Sequence, residues 1–256
     1  MPAEESTPAI VLRARDYAES DRIVTLLTRD HGKLAGIAKG AKASRHRFER
    51  KLEPFSHVIL HFRRRPHGQL VFITRAEAAD LAQYPIDEDL GRIALGAYML
   101  EIADALTAPE GEAAEAYRIL TDAMAALSLG SADAALRQAF ELQMFGWAGF
   151  GLDFERCRIC GDQQGAETRA LYFVVGRGGV VCPRCRPSLA DGAIKLRPET
   201  AATLARLGRS SLAGARGATP AGSDGTAALA RFINSILDRK LRSAEFLDSM
   251  IESVGR

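Results

Sequence analysis

Residues 23–38 read Ile-Val-Thr-Leu-Leu-Thr-Arg-Asp-His-Gly-Lys-Leu-Ala-Gly-Ile-Ala, and this stretch decides the fold of the N-terminal part. Ile23–Thr28 is short and rich in β-branched residues, which predicts a strand. Asp30–Lys33 supplies the residues of a tight turn, and Leu34–Ala38 predicts the next strand. The N-terminal part is therefore predicted to be β-structure.

Three more strands are predicted around this pair, at Ala9–Ala14, Ser56–Phe62 and Gln69–Thr74. Arg64–Gly68 forms the turn between the last two. Five short strands joined by tight turns favour a small barrel, because closure leaves no strand edge exposed. The OB-fold is the commonest five-stranded candidate, so residues 1–80 are predicted to form an OB-fold domain.

Most of the remaining chain is predicted to be helical. Apolar residues recur at helical spacing over Asp89–Leu106, Glu112–Leu129, Asp133–Ala148, Glu199–Leu207 and Thr226–Leu241. Ser131 is the predicted N-cap of the third helix, and Arg209–Gly225 is predicted to be a flexible loop. The predicted fold class is α+β: a five-stranded OB-fold β-barrel (1–80), then an α-helical domain (81–153 and 198–256) with an inserted four-cysteine zinc module (154–197).

The charge of the chain is unevenly distributed. The whole sequence has a formal net charge of +2 and is 47% hydrophobic, as is usual for a globular protein. Residues 10–76 carry a net charge of +9, whereas residues 81–153 carry −9. Such asymmetry predicts different partners for different parts of the surface. The N-terminus lacks an apolar export leader, and no apolar run is long enough for a membrane span. We expect a cytoplasmic protein with no membrane partner.

All four cysteines lie in one segment as two Cys-x-x-Cys pairs, Cys157/Cys160 and Cys182/Cys185, with 21 residues between the pairs. A two-residue spacer lets both thiolates of a turn reach one ion, and two such turns complete a tetrahedral four-sulfur shell. Residues 171–175 and 180–181 flank a glycine-rich stretch and predict a hairpin between the pairs. We predict one Zn²⁺, which is structural because a closed shell has no open position.

Two other uses of these cysteines are a redox dithiol and structural disulfides. The lack of an export leader disfavours disulfides, and a redox Cys-x-x-Cys usually occurs once. Gly161 is predicted to permit a close backbone approach at the first turn. Five arginines surround the cysteines, and they either contact phosphate or are merely solvated: Arg156, Arg158, Arg177, Arg184 and Arg186.

The segment from residue 39 to residue 51 is the most basic part of the predicted barrel. It contains six basic residues against Glu49, and Arg63, Arg64 and Arg65 add three more at a second turn. The six are Lys39, Lys42, Arg45, Arg47, Arg50 and Lys51. Two such loops can flank one groove that follows a DNA backbone, although charge runs are often only solvated. Phe48 is the candidate for base stacking, while Phe55, Phe62 and Phe72 are predicted to be core.

These residues together resemble the RecO family of bacterial recombination mediators. The resemblance is carried by residues 19–28 (Glu-Ser-Asp-Arg-Ile-Val-Thr-Leu-Leu-Thr), then by His31-Gly-Lys33, residues 38–42 and residues 52–55. The order of barrel, helices and four-cysteine module also agrees, so the resemblance covers essentially the whole chain. Some members of the family lack the cysteines, whereas this sequence has all four.

The resemblance implies a DNA repair and recombination mediator without enzymatic activity. Members of this family bind single- and double-stranded DNA, anneal complementary strands and engage the C-terminal tail of the single-strand-binding protein SSB. With RecR, they help load RecA onto SSB-coated DNA. The sequence does not locate the SSB-tail site; Arg231, Arg239, Lys240 and Arg242 in the C-terminal helices are candidates.

Two other classes of protein remain as alternatives. A zinc-ribbon DNA-binding regulator would present a recognition helix for the major groove, and none stands out. An OB-fold nucleic-acid enzyme would need an assembled catalytic site. The acidic run at residues 87–89 better suits a helix N-terminus.

Overall fold

The structure is a computed structural model of the 256-residue chain. It describes residues 3–44, 46–48, 51–65, 69–79, 86, 89–130, 132–164, 169–188, 192–237 and 241–247. The chain divides into two compact units, Met1–Ser131 with Glu245–Arg256, and Ala132–Ala244. Each unit has its own arrangement of strands and helices.

The first unit contains a closed five-stranded barrel with the strand order β1–β2–β3–β5–β4. The strands are β1 (Glu5–Tyr17), β2 (Asp21–Thr28), β3 (Gly32–Ala38), β4 (His57–Arg63) and β5 (Val71–Ala78). Among the described residues of the barrel, β3 and β5 pair in parallel and the other neighbouring strands pair antiparallel. β1 is 13 residues long and exceeds its predicted length, because its first half pairs with β4 and its second half with β2. The predicted OB-fold barrel is confirmed.

Apolar side chains from all five strands fill the barrel interior. They include Val11, Val24, Leu26, Leu34, Ala38, Val58, Leu60, Phe62, Val71 and Ile73. Since successive strand residues point to opposite faces, the residues between these point out of the barrel. Each buried valine, leucine, isoleucine or phenylalanine side chain among them stabilises the fold by about 1.5–3 kcal/mol relative to an exposed one.

Two helices, α1 (Leu90–Leu106) and α2 (Ala114–Ser128), contact β1, and α2 also contacts β2. Asp89 is the N-cap of α1, where its carboxylate accepts a hydrogen bond of 2.8 Å from the backbone N–H of Arg92. Asp87 and Glu88 lie outside the described residues. The ammonium of Lys33 on β3 donates to the carboxylate of Asp104 on α1 over 3.2 Å. This ion pair ties the barrel to the first helix.

In the residues that the structure describes, the second unit combines α-helices with a small sheet. The helices are α3 (Ala134–Trp147), α4 (Pro198–Arg209), α5 (Leu212–Ala215) and α6 (Ser223–Ile236). The strands β6 (Leu171–Val174), β7 (Gly179–Val181) and β8 (Ile194–Leu196) form an antiparallel sheet in the order β7–β6–β8. The α+β fold class is thus confirmed. Residues 242–247 are also helical and belong partly to each unit, since the second unit ends at Ala244.

The predicted flexible loop at Arg209–Gly225 is wrong, because this stretch contains α5 and the start of α6. The side chain of Gln138 on α3 holds it in place. Its amide oxygen accepts a bond of 2.9 Å from the backbone N–H of Ala221, and its amide nitrogen donates to the carbonyl of Ala221 over 3.1 Å. Gln138 is 2% exposed, so these buried bonds order the backbone despite its glycine and serine content.

The predicted N-cap at Ser131, a residue outside the described ones, is also wrong. Asp133 is the N-cap of α3, and its carboxylate accepts hydrogen bonds from the backbone N–H groups of Ala135 (2.7 Å) and Leu136 (3.1 Å). An aspartate is as good an N-cap as a serine. Among the residues that the structure describes, no helix has both the length and the apolar character needed to cross a membrane.

Candidate nucleic-acid interface and metal centre

The four cysteine sulfurs converge on one point. The Sγ atoms of Cys157, Cys160, Cys182 and Cys185 all lie within 4.8 Å of one another. The Cys160 and Cys182 sulfurs are 3.9 Å apart. A tetrahedral shell with metal–sulfur bonds of about 2.3 Å has sulfur separations of roughly 3.8 Å. The residues therefore fit a four-coordinate metal ion, whereas a disulfide would need sulfurs about 2.05 Å apart.

The acidity of the first thiol also suits metal binding. Burial by itself would raise the pKa of the Cys157 thiol, but hydrogen bonds from the backbone of Cys160 and Cys182 outweigh it and bring the pKa to about 6. The Cys182 N–H lies 3.4 Å from the Cys157 sulfur. Burial raises the pKa of Cys185 to about 12, and the neighbouring cysteines add to that rise. A cation at the centre would offset this mutual repulsion and let all four sulfurs ionise.

Both cysteine turns are held by short backbone bonds. The N–H of Gly161 donates to the carbonyl of Cys157 over 2.9 Å, and the N–H of Cys185 donates to that of Cys182 over 3.1 Å. Gly161 has a φ of +77°, and a Cβ there would have nothing within 4 Å. The glycine is therefore needed for its left-handed backbone and not, as predicted, for a close approach. The predicted hairpin between the pairs is present as β6 and β7.

The five arginines near the cysteines differ in their contacts. Arg158 donates to the carbonyl of Arg177 over 3.0 Å. Arg184 forms an ion pair with Asp162. The Arg186 guanidinium lies 5.4 Å from the centre of the Tyr172 ring, and Arg156 is exposed. Contacts within the protein therefore hold Arg158, Arg184 and Arg186 in place.

The basic connection between β3 and β4 is anchored in the barrel. Phe48 and Leu52 belong to the barrel core, and each is 2% exposed. The backbone N–H of Ala76 on β5 donates to the carbonyl of Arg47 over 2.9 Å. The predicted role of Phe48 in base stacking is therefore wrong, because its ring is enclosed by the apolar interior. Burying this ring instead fixes the cations next to it on the barrel surface.

The cations of this connection have different environments. Lys39 and Arg47 are exposed, and Arg47 donates to the carbonyl of Lys39 over 3.1 Å. The Lys42 ammonium pairs with Asp16 over 3.0 Å. Lys51 is half-buried. Arg45 and Arg50 lie outside the described residues.

The second basic segment lies at the end of β4. Arg64 pairs with Glu5 (3.3 Å) and with Glu110 (3.1 Å), while Arg63 pairs with Glu4 over 3.7 Å. Arg65 is exposed. Carboxylates therefore partly neutralise Arg63 and Arg64, whereas in the part of the chain that the structure describes no carboxylate lies within salt-bridge distance of Arg65.

Strand register places both basic segments at one face of the barrel. Arg63 on β4 is paired with Phe72 on β5, and Phe72 is paired with Ile37 on β3, two residues before Lys39. The neighbours of Phe72 along β5, Val71 and Ile73, fill the interior, so Phe72 points outward. The prediction that Phe72 is core is wrong: it is half-buried on this face. Phe62 is core as predicted, and Phe55 is half-buried against Gly96 of α1.

The same row continues across the other two strands. Ile37 is paired with Ile23 on β2, and Ile23 with Arg15 on β1. The two isoleucines are only 7% and 9% exposed, so the accessible residues of the row are Arg15, Phe72 and Arg63. Arg15 is exposed and lies on the outward face. We name this row of Arg15, Ile23, Ile37, Phe72 and Arg63 the barrel face. Sequence reasoning missed Arg15, although the alternation of Arg13 and Arg15 with Ala14 could have revealed an exposed basic edge.

The geometry defines a class of protein, namely an OB-fold protein with a basic, aromatic barrel face and a four-cysteine centre suited to a metal ion. Two family models match this chain, one over its N-terminal part and one over most of the remainder. The family model described as "Recombination protein O N terminal" matches residues 1–82, and "Recombination protein O C terminal" matches residues 87–245.

Curated relatives agree over nearly the full length. The chain is 40% identical over 248 residues to the DNA repair protein RecO of Anaeromyxobacter sp. strain Fw109-5, with 96% of each chain covered. It is 34% identical to the DNA repair protein RecO of Myxococcus xanthus, over 93% of this chain and 95% of that one. The RecO of Symbiobacterium thermophilum is 32% identical, over 94% and 95%. The chain belongs to the RecO family of DNA repair and recombination proteins.

Proposed function

We propose that the barrel face and the two basic segments beside it bind DNA. The observation that carries this proposal is the burial of Phe48 in the barrel core, which fixes Lys39 and Arg47 beside the row that contains Phe72. A loop that was basic only for solubility would not need a buried aromatic anchor. A fixed positive surface also lowers the entropy cost of ordering cations around phosphates.

Phe72 supplies the aromatic part of this interface. Its ring lies on the outward side of β5, between Arg63 and Ile37 in the strand register. Aromatic rings stack on unpaired bases regardless of their identity, while cations beside them bind the backbone. A duplex hides its bases from such a ring, so duplex binding rests on the cations alone. The site therefore suits single-stranded DNA best and accepts double-stranded DNA more weakly.

Bound cations reduce the repulsion between two phosphate backbones. On this basis the protein brings complementary strands together and anneals them without nucleotide hydrolysis. The function that we propose is that of a recombination mediator: with RecR, the protein helps load RecA onto SSB-coated DNA, and it binds the SSB C-terminal tail. It acts in the cytoplasm and catalyses no covalent chemistry. Membership of the RecO family supports this proposal.

The metal at the four cysteines is proposed to be one Zn²⁺ with a structural role. Four thiolates suit zinc, and a complete sulfur shell leaves no position for substrate. Cys157, Cys160, Cys182 and Cys185 would hold it and so fix the two turns that carry them. The metal thereby stabilises the small sheet and does not take part in a reaction.

A charge-reversal pair tests the DNA interface. The variant carries Lys39→Glu with Arg47→Glu, and the matched control carries Arg29→Glu, an exposed arginine paired with Asp30 at the β2–β3 turn. If about five phosphates are neutralised, the logarithm of affinity for single strands should fall with the logarithm of salt with a slope near −3.5. The double variant removes two cations, so the magnitude of its salt slope should be smaller by about 1.4, whereas the slope of the control should not change. An unchanged slope and affinity in the double variant would refute the interface.

Strand annealing separates the proposed function from its rivals. Complementary oligonucleotides labelled with a donor and an acceptor fluorophore are mixed without nucleotide, with and without the protein. A mediator should accelerate pairing, whereas a regulator or a nucleotide-dependent enzyme should not. The Lys39→Glu, Arg47→Glu variant should lose most of the acceleration. Pairing at the spontaneous rate with the native protein would reject annealing.

A further inference from the structure

A second basic surface lies in the other unit, on the small sheet. Residues 169–197 contain six basic residues and one acidic residue, Asp191, which lies outside the described residues. The six are Arg169, Arg177, Arg184, Arg186, Lys195 and Arg197. Ion pairs engage Arg184 with Asp162 and Arg197 with Asp224. The net charge of +5 equals that of residues 39–51 in the barrel, although here it is spread over 29 residues instead of 13.

Three of these cations are free to meet a ligand. Arg169, Arg177 and Lys195 are exposed. Within the described part of the chain, no carboxylate lies within salt-bridge distance of any of the three. The electrostatic potentials of uncompensated cations in one short segment add. Together they attract a polyanion more strongly than a single lysine does.

Strand pairing places an aromatic ring among the cations. Tyr172 on β6 is paired with Lys195 on β8, so their side chains share one face of the sheet. Arg186 stacks on the Tyr172 ring, with its guanidinium carbon 5.4 Å from the ring centre. The other face of β6 points into the core, where Phe173 stacks on Phe154 with ring centres 5.7 Å apart. Lys195, Tyr172 and Arg186 therefore form one outward row, which we name the sheet face.

The second cysteine turn positions this row. The backbone N–H of Arg186 donates to the carbonyl of Cys182 over 3.1 Å, directly after Cys185. Val181 on β7 is paired with Tyr172 on β6. Val181 is fully buried against Cys157 and Cys182. The turn that carries two of the four sulfurs thus also fixes the guanidinium over the tyrosine ring. The four-cysteine centre acts as the foundation of the sheet face.

We propose that the sheet face, together with Arg177 and Arg169, is a second binding site for a nucleic-acid strand. Lys195 and Arg177 contact phosphates, and the stacked Arg186 and Tyr172 offer planar groups to bases. An acidic peptide with an apolar end would require an apolar pocket, but the apolar Val181 of this face is covered by the cysteines. A strand with a regular series of phosphates fits the surface better.

Two sites in one chain allow two strands to be held at once. Holding both strands on one chain would favour annealing, and here the inference rests on the proposed function, with one strand at the barrel face and its complement at the sheet face. The existence of the second site does not depend on the first. A binding count therefore tests each site separately.

The experiment counts strands bound to the full-length protein. A fluorescein-labelled oligothymidylate of about eight nucleotides is titrated at concentrations well above its dissociation constant. The native chain should bind two. The sheet variant, Arg177→Glu with Lys195→Glu, and the barrel variant, Lys39→Glu with Arg47→Glu, should each bind one, and the combined variant none. A control, Arg206→Glu with Arg216→Glu on other exposed arginines of the same unit, should still bind two.

Metal content and circular dichroism confirm that each variant is folded. The second site would be overturned if the native chain bound one strand and only the barrel variant lost that binding. Two strands retained by the sheet variant would do the same. If that variant instead lost only the binding of an acidic peptide with an apolar C-terminus, the surface would be a peptide site and the proposal would be wrong. If the sheet variant binds one strand while the barrel variant keeps two, the second site stands and the barrel interface falls.

Discussion

The backbone N–H of Ala76 on β5 donates a hydrogen bond of 2.9 Å to the carbonyl oxygen of Arg47, in the connection between β3 and β4. The next residue along that connection, Phe48, lies inside the barrel. A long basic connection is thus fastened to a strand at one point and to the core at the next. Its charges therefore belong to the barrel surface, where the proposed DNA interface lies.

Removing the Phe48 ring should destabilise the first unit. We expect Phe48→Ala to lower the free energy of unfolding by about 3–5 kcal/mol, since it leaves a cavity in the barrel. Urea denaturation followed by circular dichroism measures this change. Tyr17→Ala, which truncates an aromatic ring that is 52% exposed, should stay within about 0.5 kcal/mol. Equal effects of the two substitutions would show that Phe48 is not an anchor.

Gly32 should tolerate no side chain. It has a φ of +65°, and a Cβ there would lie 2.0 Å from the carbonyl oxygen of Gly111, in the connection between α1 and α2. Gly40 has nearly the same φ, +66°, but a Cβ there would meet only the flexible end of Arg47 at 3.4 Å. Gly40→Ala should therefore cost about 1 kcal/mol, whereas Gly32→Ala should cost at least about 3 kcal/mol or prevent folding.

Thermal melts of the two alanine variants compare these costs under the same conditions. Because both glycines are left-handed, the difference between the variants reports only the close backbone approach. Similar melting temperatures for the two would mean that the chain around Gly111 can move away without penalty.

Loss of the metal should disrupt the second unit. We expect the purified protein to contain one zinc ion per chain by elemental analysis, and Cys157→Ser with Cys160→Ser to contain none. Near-ultraviolet circular dichroism of that variant should lose the signal of packed aromatic residues. Asp162→Asn, which alters an exposed side chain beside the site, should keep its metal. A metal-free protein with fully retained structure would instead favour the redox dithiol.

Asp224 should make the protein sensitive to acid. Burial opposes ionisation of this carboxyl, but hydrogen bonds from Arg197 and Thr200 outweigh it and lower the pKa to about 2, from an ordinary value of 3.8. Because the folded pKa is the lower one, the stabilisation is fully present above about pH 4. It is lost as the pH falls through 3.8 towards 2.

The stabilisation amounts to about 2 kcal/mol. Chemical denaturation at pH 6 and at pH 2.5 measures it, with Asp224→Asn as the comparison. The native protein should lose more stability than the variant between these pH values. A parallel decline of the two would assign acid sensitivity to other carboxylates.

The register of the barrel could not be predicted from the sequence. Alternating apolar residues identified five strands and the cysteine spacing identified the candidate metal ligands, because both patterns are local. The length of β1 was underestimated because its ends are strands only through pairing with β2 and β4. The residues around a strand end do not show which distant segment it pairs with.

The aromatic residues show the same limit. Phe48 stands in a basic run, and its neighbours in sequence suggested a solvent-facing ring. Phe72 stands in an apolar strand, and its neighbours suggested the core. The structure reverses both, because burial depends on which face of the barrel a residue meets. Gln138 and Ala221, 83 positions apart, likewise order a stretch that its own composition marks as a loop.

The sequence by itself determined the order of barrel, helices and cysteine module, the family and the set of four sulfurs. These features follow from residue types and short spacings in the sequence, which do not depend on tertiary structure. Only the tertiary structure decided that Phe72 and Arg63 share one face, that Phe48 is an anchor, and that Lys195, Tyr172 and Arg186 form a row. Such neighbours are created by strand pairing, which joins residues that the chain keeps far apart.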